Sequence, residues 1–158
     1  MAYTYSHLYG IPATGLRFFT VYGPFGRPDM AYFKFANKMV KGETIKVYNH
    51  GEMLRDFTYV DDIVEGISRM IVCPPDENED GDRYKIYNIG NSHPVKLMDF
   101  ISILEAKKEF LPMQPGDVYQ TYADVSELEK DFDFKPKTTL EEGLTRFAAW
   151  FKAYYHLS

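Results

Sequence analysis

Three groups in this sequence are suited to gripping an anion. Arg55 opens the run Arg55-Asp56-Phe57-Thr58-Tyr59-Val60-Asp61-Asp62. A guanidinium at a strand start can hold a diphosphate through paired N–H···O bonds, a geometry that Lys cannot copy. The other reading of Arg55 is an ion pair with Asp56, Asp61 or Asp62. Arg27 lies in Gly23-Pro24-Phe25-Gly26-Arg27-Pro28, where a stiff backbone could aim it at a ligand. Equally, it could be a solvated loop charge paired with Asp29. Thr20 stands near the end of an apolar run, and ligands of open α/β sheets gather beyond the carboxyl ends of strands. Its hydroxyl could donate to a phosphate or simply serve the strand. Gln114 and Asp117 bracket Pro115-Gly116, a turn signal, so Asp117 could accept from ribose hydroxyls or hold its own turn.

Other chemistries find no support. His7, His50, His93 and His156 are scattered without metal-ligand spacing, and no metal site is expected. There is no Gly-x-Ser-x-Gly turn for a nucleophile. Gly23-Pro24-Phe25-Gly26 lacks the Lys-Ser/Thr ending of a phosphate cradle, and no Gly-rich dinucleotide loop occurs. No Tyr-x-x-x-Lys pair occurs either. Cys73 is the only cysteine, which leaves no intramolecular disulfide or cysteine zinc site and points to a reducing, cytoplasmic location. The net charge of −5, from 18 basic and 23 acidic residues, offers no basic face for nucleic acid. A nucleotide diphosphate needs only one or two well-placed arginines. No signal peptide or long apolar span suggests membrane insertion.

The elements that must carry these residues can be read from pattern. The 158 residues are 45% hydrophobic and 26% charged, enough for one domain with a real core. The 13 Tyr and 12 Phe suit that core, and would also suit a pocket wall that stacks on a base. Residues 1–9 read as the end of a helix without an N-cap signal, closed by Gly10. Leu16 to Tyr22 reads as a strand and Met30 to Lys41 as a helix stopped by Gly42. Ile45 to Tyr48 is a short strand before a turn at Asn49 to Gly51. Arg55 to Tyr59 is extended. Asp61 or Asp62 should cap a helix with Ile63, Ile67, Met70 and Ile71 on one face. After the acidic loop Pro74 to Asp82 comes a strand, Tyr84 to Ile89. Leu97 to Glu105 reads as a helix with Phe100, Ile101 and Leu104 inward. A short helix near Val125 to Lys130 follows a possible Asp124 cap. The last helix starts at a Thr138 or Thr139 capping box and aligns Leu140, Leu144, Phe147, Ala148, Phe151 and Tyr155. Strands alternating with helices give an α/β class.

Together these segments resemble the extended short-chain dehydrogenase/reductases, and within them the UDP-glucuronate 4-epimerases. The resembling residues are His7 to Pro12, Leu16 to Pro24, Gly26 to Met30, Arg55 to Asp62, Tyr87 to Gly90 and Pro112 to Val118. Arg-Asp-Phe-x-x-Val-x-Asp is similar to a motif of many sugar-nucleotide enzymes. Gly-Arg-Pro-Asp-Met with Pro-Met-Gln-Pro-Gly-Asp-Val is narrower and points to the uronate epimerases. Gln114 stands where the superfamily often has Arg. The resemblance implies a Rossmann-type fold with a small mixed α/β substrate-binding domain, of which residues 1–158 are the C-terminal, substrate-binding portion. The dinucleotide-binding portion and the catalytic Tyr-Lys pair would lie outside this chain. The resemblance further implies that Thr20 and Arg55 contact a diphosphate, that Tyr48 helps enclose a uracil and that Asp117 binds the uridine. Arg27 would lie near phosphate or sugar, Gln114 on the same approach, and Phe18 and Phe19 beside a nicotinamide. NAD would serve the full-length protein, with a UDP-sugar as partner and no turnover expected from this chain alone; the alternatives are a non-catalytic sugar-nucleotide-binding module or a portion of a related nucleotide-sugar dehydratase or decarboxylase. Strands without sheet neighbours could also drive homo-oligomerisation. The stretch between Leu104 and Phe110 is shorter than in the family, a change expected to disturb the approach to Gln114.

Overall fold

A computed structural model describes residues 1–103 and 107–157. In chain order the elements are α1 (Ala2–Tyr9), β1 (Ala13–Phe18), β2 (Thr20–Tyr22), α2 (Ala31–Val40), β3 (Ile45–Val47), a 3-10 turn (Tyr48–Gly51), β4 (Leu54–Arg55) and β5 (Phe57–Tyr59). There follow α3 (Val60–Ile71), β6 (Tyr84–Ile89), β7 (Val95–Lys96), α4 (Leu97–Ile103), β8 (Lys108–Phe110), α5 (Ser126–Phe132) and α6 (Leu140–Tyr154). Strands β1 and β6, β2 and β5, and β3 and β8 pair in parallel, while β4 and β7 pair antiparallel. This is the mixed α/β class that the sequence pattern predicts.

Two expected strands are each broken at one residue, and the breaks build the site. Leu16 to Tyr22 changes partner at Phe19, with Phe18 opposite Ile89 of β6 and Thr20 opposite Phe57 of β5. The extended run from Arg55 is likewise interrupted at Asp56. That residue is fully buried, and its carbonyl accepts the Thr20 N–H at 3.2 Å. Its carboxylate accepts the backbone N–H groups of Asn91 (2.8 Å), Ser92 (3.0 Å) and Ala123 (3.0 Å). One residue, through its carbonyl and its carboxylate, thus joins three distant segments at the place where the strands switch sheets.

Some helix boundaries differ from the sequence reading. Neither Asp61 nor Asp62 caps α3. Tyr59 occupies the cap position and both acids fall in the first turn, where they still favour the positive end of the helix dipole. Asp62 instead accepts the backbone N–H groups of Lys137 (3.3 Å) and Thr138 (3.1 Å). Ile71 leaves the buried face of α3 and is exposed, while Ile63 and Met70 are buried. In α6 the cap is Thr139, whose hydroxyl accepts the Glu142 N–H at 3.2 Å. Leu144, Phe147 and Phe151 face the core, but Ala148 and Tyr155 are exposed. Strands β7 and β8 carried too few residues to be read from the sequence. The expected helix over Leu97–Glu105 is seen to Ile103, and its last residues lie outside the described ones, as does part of the stretch between Leu104 and Phe110 that the sequence reading expects to be short.

Two cores result. One packs Tyr22, Phe33, Phe57, Phe100, Phe147 and their neighbours between α2, α4, α6 and the short strands. The other gathers Ile63, Tyr87, Ile89, Leu128 and Phe134. Tyr87 also donates its hydroxyl to Asp131 at 2.6 Å, and Lys85 pairs with the same carboxylate oxygen at 2.5 Å. These bonds pin α5 to β6. Among the described residues no helix is long and apolar enough to cross a membrane.

Candidate functional site

A cleft of about 560 Å³ opens beside the first core, and Thr20, Tyr48, Arg55, Gln114 and Asp117 all line it. Each reaches it for a local reason. Thr20 starts β2, directly after the partner switch. Tyr48 opens a turn in which Asn49 and His50 both adopt left-handed backbone, at φ 48 and 50. Asn49 stabilises that turn by donating its amide to the Glu52 carbonyl at 3.1 Å. Gln114 and Asp117 enclose a closed turn, with the Asp117 N–H bonded to the Gln114 carbonyl at 3.2 Å and Gly116 at φ 90. Pro at the second position and a left-handed Gly at the third are the residues such a turn requires.

The chain after this turn runs back along β4. Leu54 donates its N–H to Tyr119 at 2.9 Å and accepts from Thr121 at 3.1 Å. That pairing brings the turn over Arg55. The Arg55 guanidinium donates to the carbonyls of Leu54 (2.9 Å) and Tyr119 (3.3 Å) and lies 3.4 Å from the Met53 sulfur. Among the described residues no carboxylate pairs with it, so the alternative reading of an ion pair with Asp56, Asp61 or Asp62 does not hold. Asp56 and Asp62 are occupied by backbone N–H groups, and Asp61 lies 3.5 Å from Arg146.

Arg27, Phe18 and Phe19 do not join this cleft. They line a second groove of about 410 Å³ with Val21, Phe25 and Val60. The Arg27 guanidinium forms a fork with Asp29, with Nε–H donating to Oδ1 at 3.0 Å and a second N–H donating to Oδ2. The Arg27 bond holds the Asp29 carboxyl below the usual carboxylate range. The solvated loop pair read from the sequence is therefore present. Yet Asp29 lines the larger cleft, and Met30 lines both, so the pair stands where the two hollows meet.

Sequence reasoning missed the lysines. Lys34, Lys38 and Lys46 line the larger cleft with Arg55, against Asp29 and Asp117 as its only acids among the described residues. A chain of net charge −5 thus concentrates positive charge in one hollow, as an anionic ligand requires. The signal was available in the i, i+4 spacing of Lys34 and Lys38 on α2, which puts both on one helix face. Apolar Met53, Phe57 and Leu97 complete the wall. Aromatic and apolar walls with a few placed cations suit a nucleotide better than a bare phosphate.

Comparison with known proteins addresses the family of the chain. The chain is 53% identical to Protein CapI of Staphylococcus aureus over 172 residues, covering 98% of this chain and 52% of CapI. That alignment is longer than the chain itself, so CapI carries residues absent here. UDP-glucuronate 4-epimerase 2 of Arabidopsis thaliana is 42% identical over 98% of this chain and 39% of its own length. Among solved structures, UDP-glucuronic acid 4-epimerase from Bacillus cereus in complex with UDP-glucuronic acid and NAD superposes with a TM-score of 0.84 at 32% identity, over 98% of this chain and 49% of that one. A dTDP-glucose 4,6-dehydratase from Streptomyces venezuelae shares the fold, with a TM-score of 0.81 at 21% identity. The chain spans between about two fifths and about half of the length of these relatives. Their architecture is that of Rossmann-type extended short-chain dehydrogenase/reductases. Residues 1–90, more than half of the chain, match the NAD dependent epimerase/dehydratase family, and the chain belongs to that family.

Proposed function

We propose that this chain is the nucleotide-sugar-binding portion of an NAD-dependent UDP-glucuronate 4-epimerase, which interconverts UDP-glucuronate and UDP-galacturonate. One observation carries the reading. A single cleft gathers Thr20, Tyr48, Arg55, Gln114 and Asp117, with Arg55 free of any carboxylate partner among the described residues.

In this reading Arg55 and Thr20 hold the diphosphate, Tyr48 closes on the uracil, and Asp117 accepts from the ribose. The lysines of the cleft make its potential more positive, which lowers the energy of a ligand of several negative charges. Binding energy spent on the nucleotide anchors the substrate while the sugar end reacts and turns. The second groove would meet the sugar and the cofactor. Its half-exposed Phe18, with Phe19 beside it, offers a flat apolar wall that fits a nicotinamide ring. The 158 residues hold no Gly-rich loop for a dinucleotide pyrophosphate, so this chain would supply only the nicotinamide side. Phe18 and Phe19 would hold the nicotinamide side of NAD in the full-length protein, where that group would supply a reversible hydride acceptor for the sugar C4–H. A reducing cytoplasmic setting fits the single exposed thiol of Cys73.

The second reading is a nucleotide-sugar-binding module without chemistry. It is favoured by the lack of a Tyr-x-x-x-Lys pair in the sequence. Self-association through the exposed Tyr5, Leu8, Tyr9 and Ile11 belongs to either reading, and sedimentation would reveal it.

Calorimetric titration of the purified chain with UDP and with UDP-glucuronate tests the site. The expected result is binding that weakens in Arg55→Ala. A folded chain that binds neither ligand would overturn the reading. Incubation of this chain alone with NAD and UDP-glucuronate should form no UDP-galacturonate in either reading, and the two are separated by whether the full-length protein that contains it forms UDP-galacturonate.

A further inference from the structure

The loop that carries Arg27 is held in a costly shape by one exposed aromatic. Phe25 adopts left-handed backbone at φ 56, a conformation that bulky side chains seldom take. Its side chain is 78% exposed, so core burial does not explain the conformation. The ring instead rests on α6, 5.0 Å from the Trp150 ring and 5.9 Å from that of Tyr154. The glycines on either side leave the loop little freedom. A Cβ on Gly23 would approach Val60 to 2.6 Å, and a Cβ on Gly26 would overlap the Tyr32 hydroxyl at 1.6 Å. Backbone strain that persists at a ligand groove is a reason to look for a role.

We infer that Phe25 is a positioning residue: docked on Trp150 and Tyr154, it fixes the Gly23–Pro28 loop so that Arg27 stands at the junction of the nucleotide cleft and the aromatic groove. This rests on the nucleotide-sugar reading above and deepens it. The junction is where the sugar of a bound nucleotide sugar would emerge, because the cleft on one side takes the nucleotide. Phe25 therefore acts on the sugar-dependent part of binding and leaves the nucleotide part alone. Asp29 holds the Arg27 fork from the cleft side, and Phe25 holds its backbone from the helix side.

The test uses the purified chain, in which Trp150 is the only tryptophan. Phe25→Asn keeps a residue that tolerates left-handed backbone and removes the ring. In the ligand-free chain, acrylamide quenching of Trp150 fluorescence should rise in this variant and return to wild-type values in Phe25→Tyr. Calorimetry should then show UDP affinity within about twofold of wild type. The preference for UDP-glucuronate over UDP should fall by about 2- to 10-fold, the size of one aromatic contact. Arg27→Gln should lower the same preference, and the double variant should lose no more than Arg27→Gln alone. Unchanged quenching, or a raised quenching with an unchanged preference, would overturn this inference while leaving the nucleotide-sugar reading intact. Wild-type chain that binds neither UDP nor UDP-glucuronate would overturn both.

Discussion

The buried carboxylate of Asp56 accepts the backbone N–H of Ala123 at 3.0 Å across 67 residues of sequence, and that bond turns Asp56 away from its neighbour Arg55. The two residues divide their labour by facing apart. Asp56 ties β2, the segment after β6 and the strand-like run at 119–123 into one unit. Arg55, relieved of a carboxylate, presents its guanidinium to the cleft on a cradle of backbone carbonyls.

Removing the tie should therefore damage stability more than removing the cation. Asp56→Ala leaves the N–H groups of Asn91, Ser92 and Ala123 without their acceptor, and a loss of about 3 kcal/mol is expected from orphaned buried donors. Urea unfolding followed by circular dichroism measures it, and a midpoint equal to wild type would show that the hub contributes nothing.

Arg55→Ala should leave the unfolding midpoint nearly unchanged and weaken UDP-glucuronate binding by about 10- to 100-fold, the value of hydrogen bonds to a charged partner. Arg55→Lys should recover only part of this, because an ammonium cannot reproduce the bidentate fork. Full recovery by Lys would mean that charge alone, without geometry, is read at this position.

Two helical glycines mark close packing. A Cβ on Gly143 would meet the Tyr22 hydroxyl at 2.1 Å, and one on Gly66 would meet Ile89 at 2.8 Å and Phe134 at 2.9 Å. Ala in place of a helical Gly ordinarily stabilises. Here overpacking should dominate, with Gly143→Ala and Gly66→Ala each losing about 1 to 3 kcal/mol. Thermal denaturation of either variant checks the sign.

The Tyr87 phenol and the Asp131 carboxylate that pairs with Lys85 and Tyr87 make stability depend on pH at both ends. Burial, and the bond to Asp131, push the Tyr87 phenol up to about 12. Its contribution is therefore complete below the ordinary tyrosine value of 10.0 and is lost as pH rises from there toward 12. Asp131 is held below its ordinary value of 3.8 by Lys85 and then Tyr87. Its contribution is present above 3.8 and disappears as pH falls through the lowered value. Stability curves of Tyr87→Phe should be flatter than wild type in the alkaline window. Asp131→Asn should be flatter in the acid one, and parallel curves would refute the assignment.

The sequence by itself determined the element types where a local rule suffices. Gly10 and Gly42 end helices because only left-handed backbone fits there, at φ 63 and φ 67. The Thr138-Thr139 pair with its following glutamates marks the start of α6, where the structure selects Thr139 as the cap, and Pro115-Gly116 closes the turn between Gln114 and Asp117. It also supplied the family motifs that pick out Arg55 and Thr20. Tertiary structure alone decided where strands change partners, because Phe19 and Asp56 look like ordinary strand residues until the distant chains that pair with them are in place. Strands of two or three residues such as β7 and β8 have no readable period and exist only through their partners. The same holds for charge. Arg55 could pair with any nearby acid in the sequence, and only the fold showed Asp56 and Asp62 already taken by backbone N–H groups. Long-range hydrogen bonds thus assigned the acids, and by doing so left the cation to the cleft.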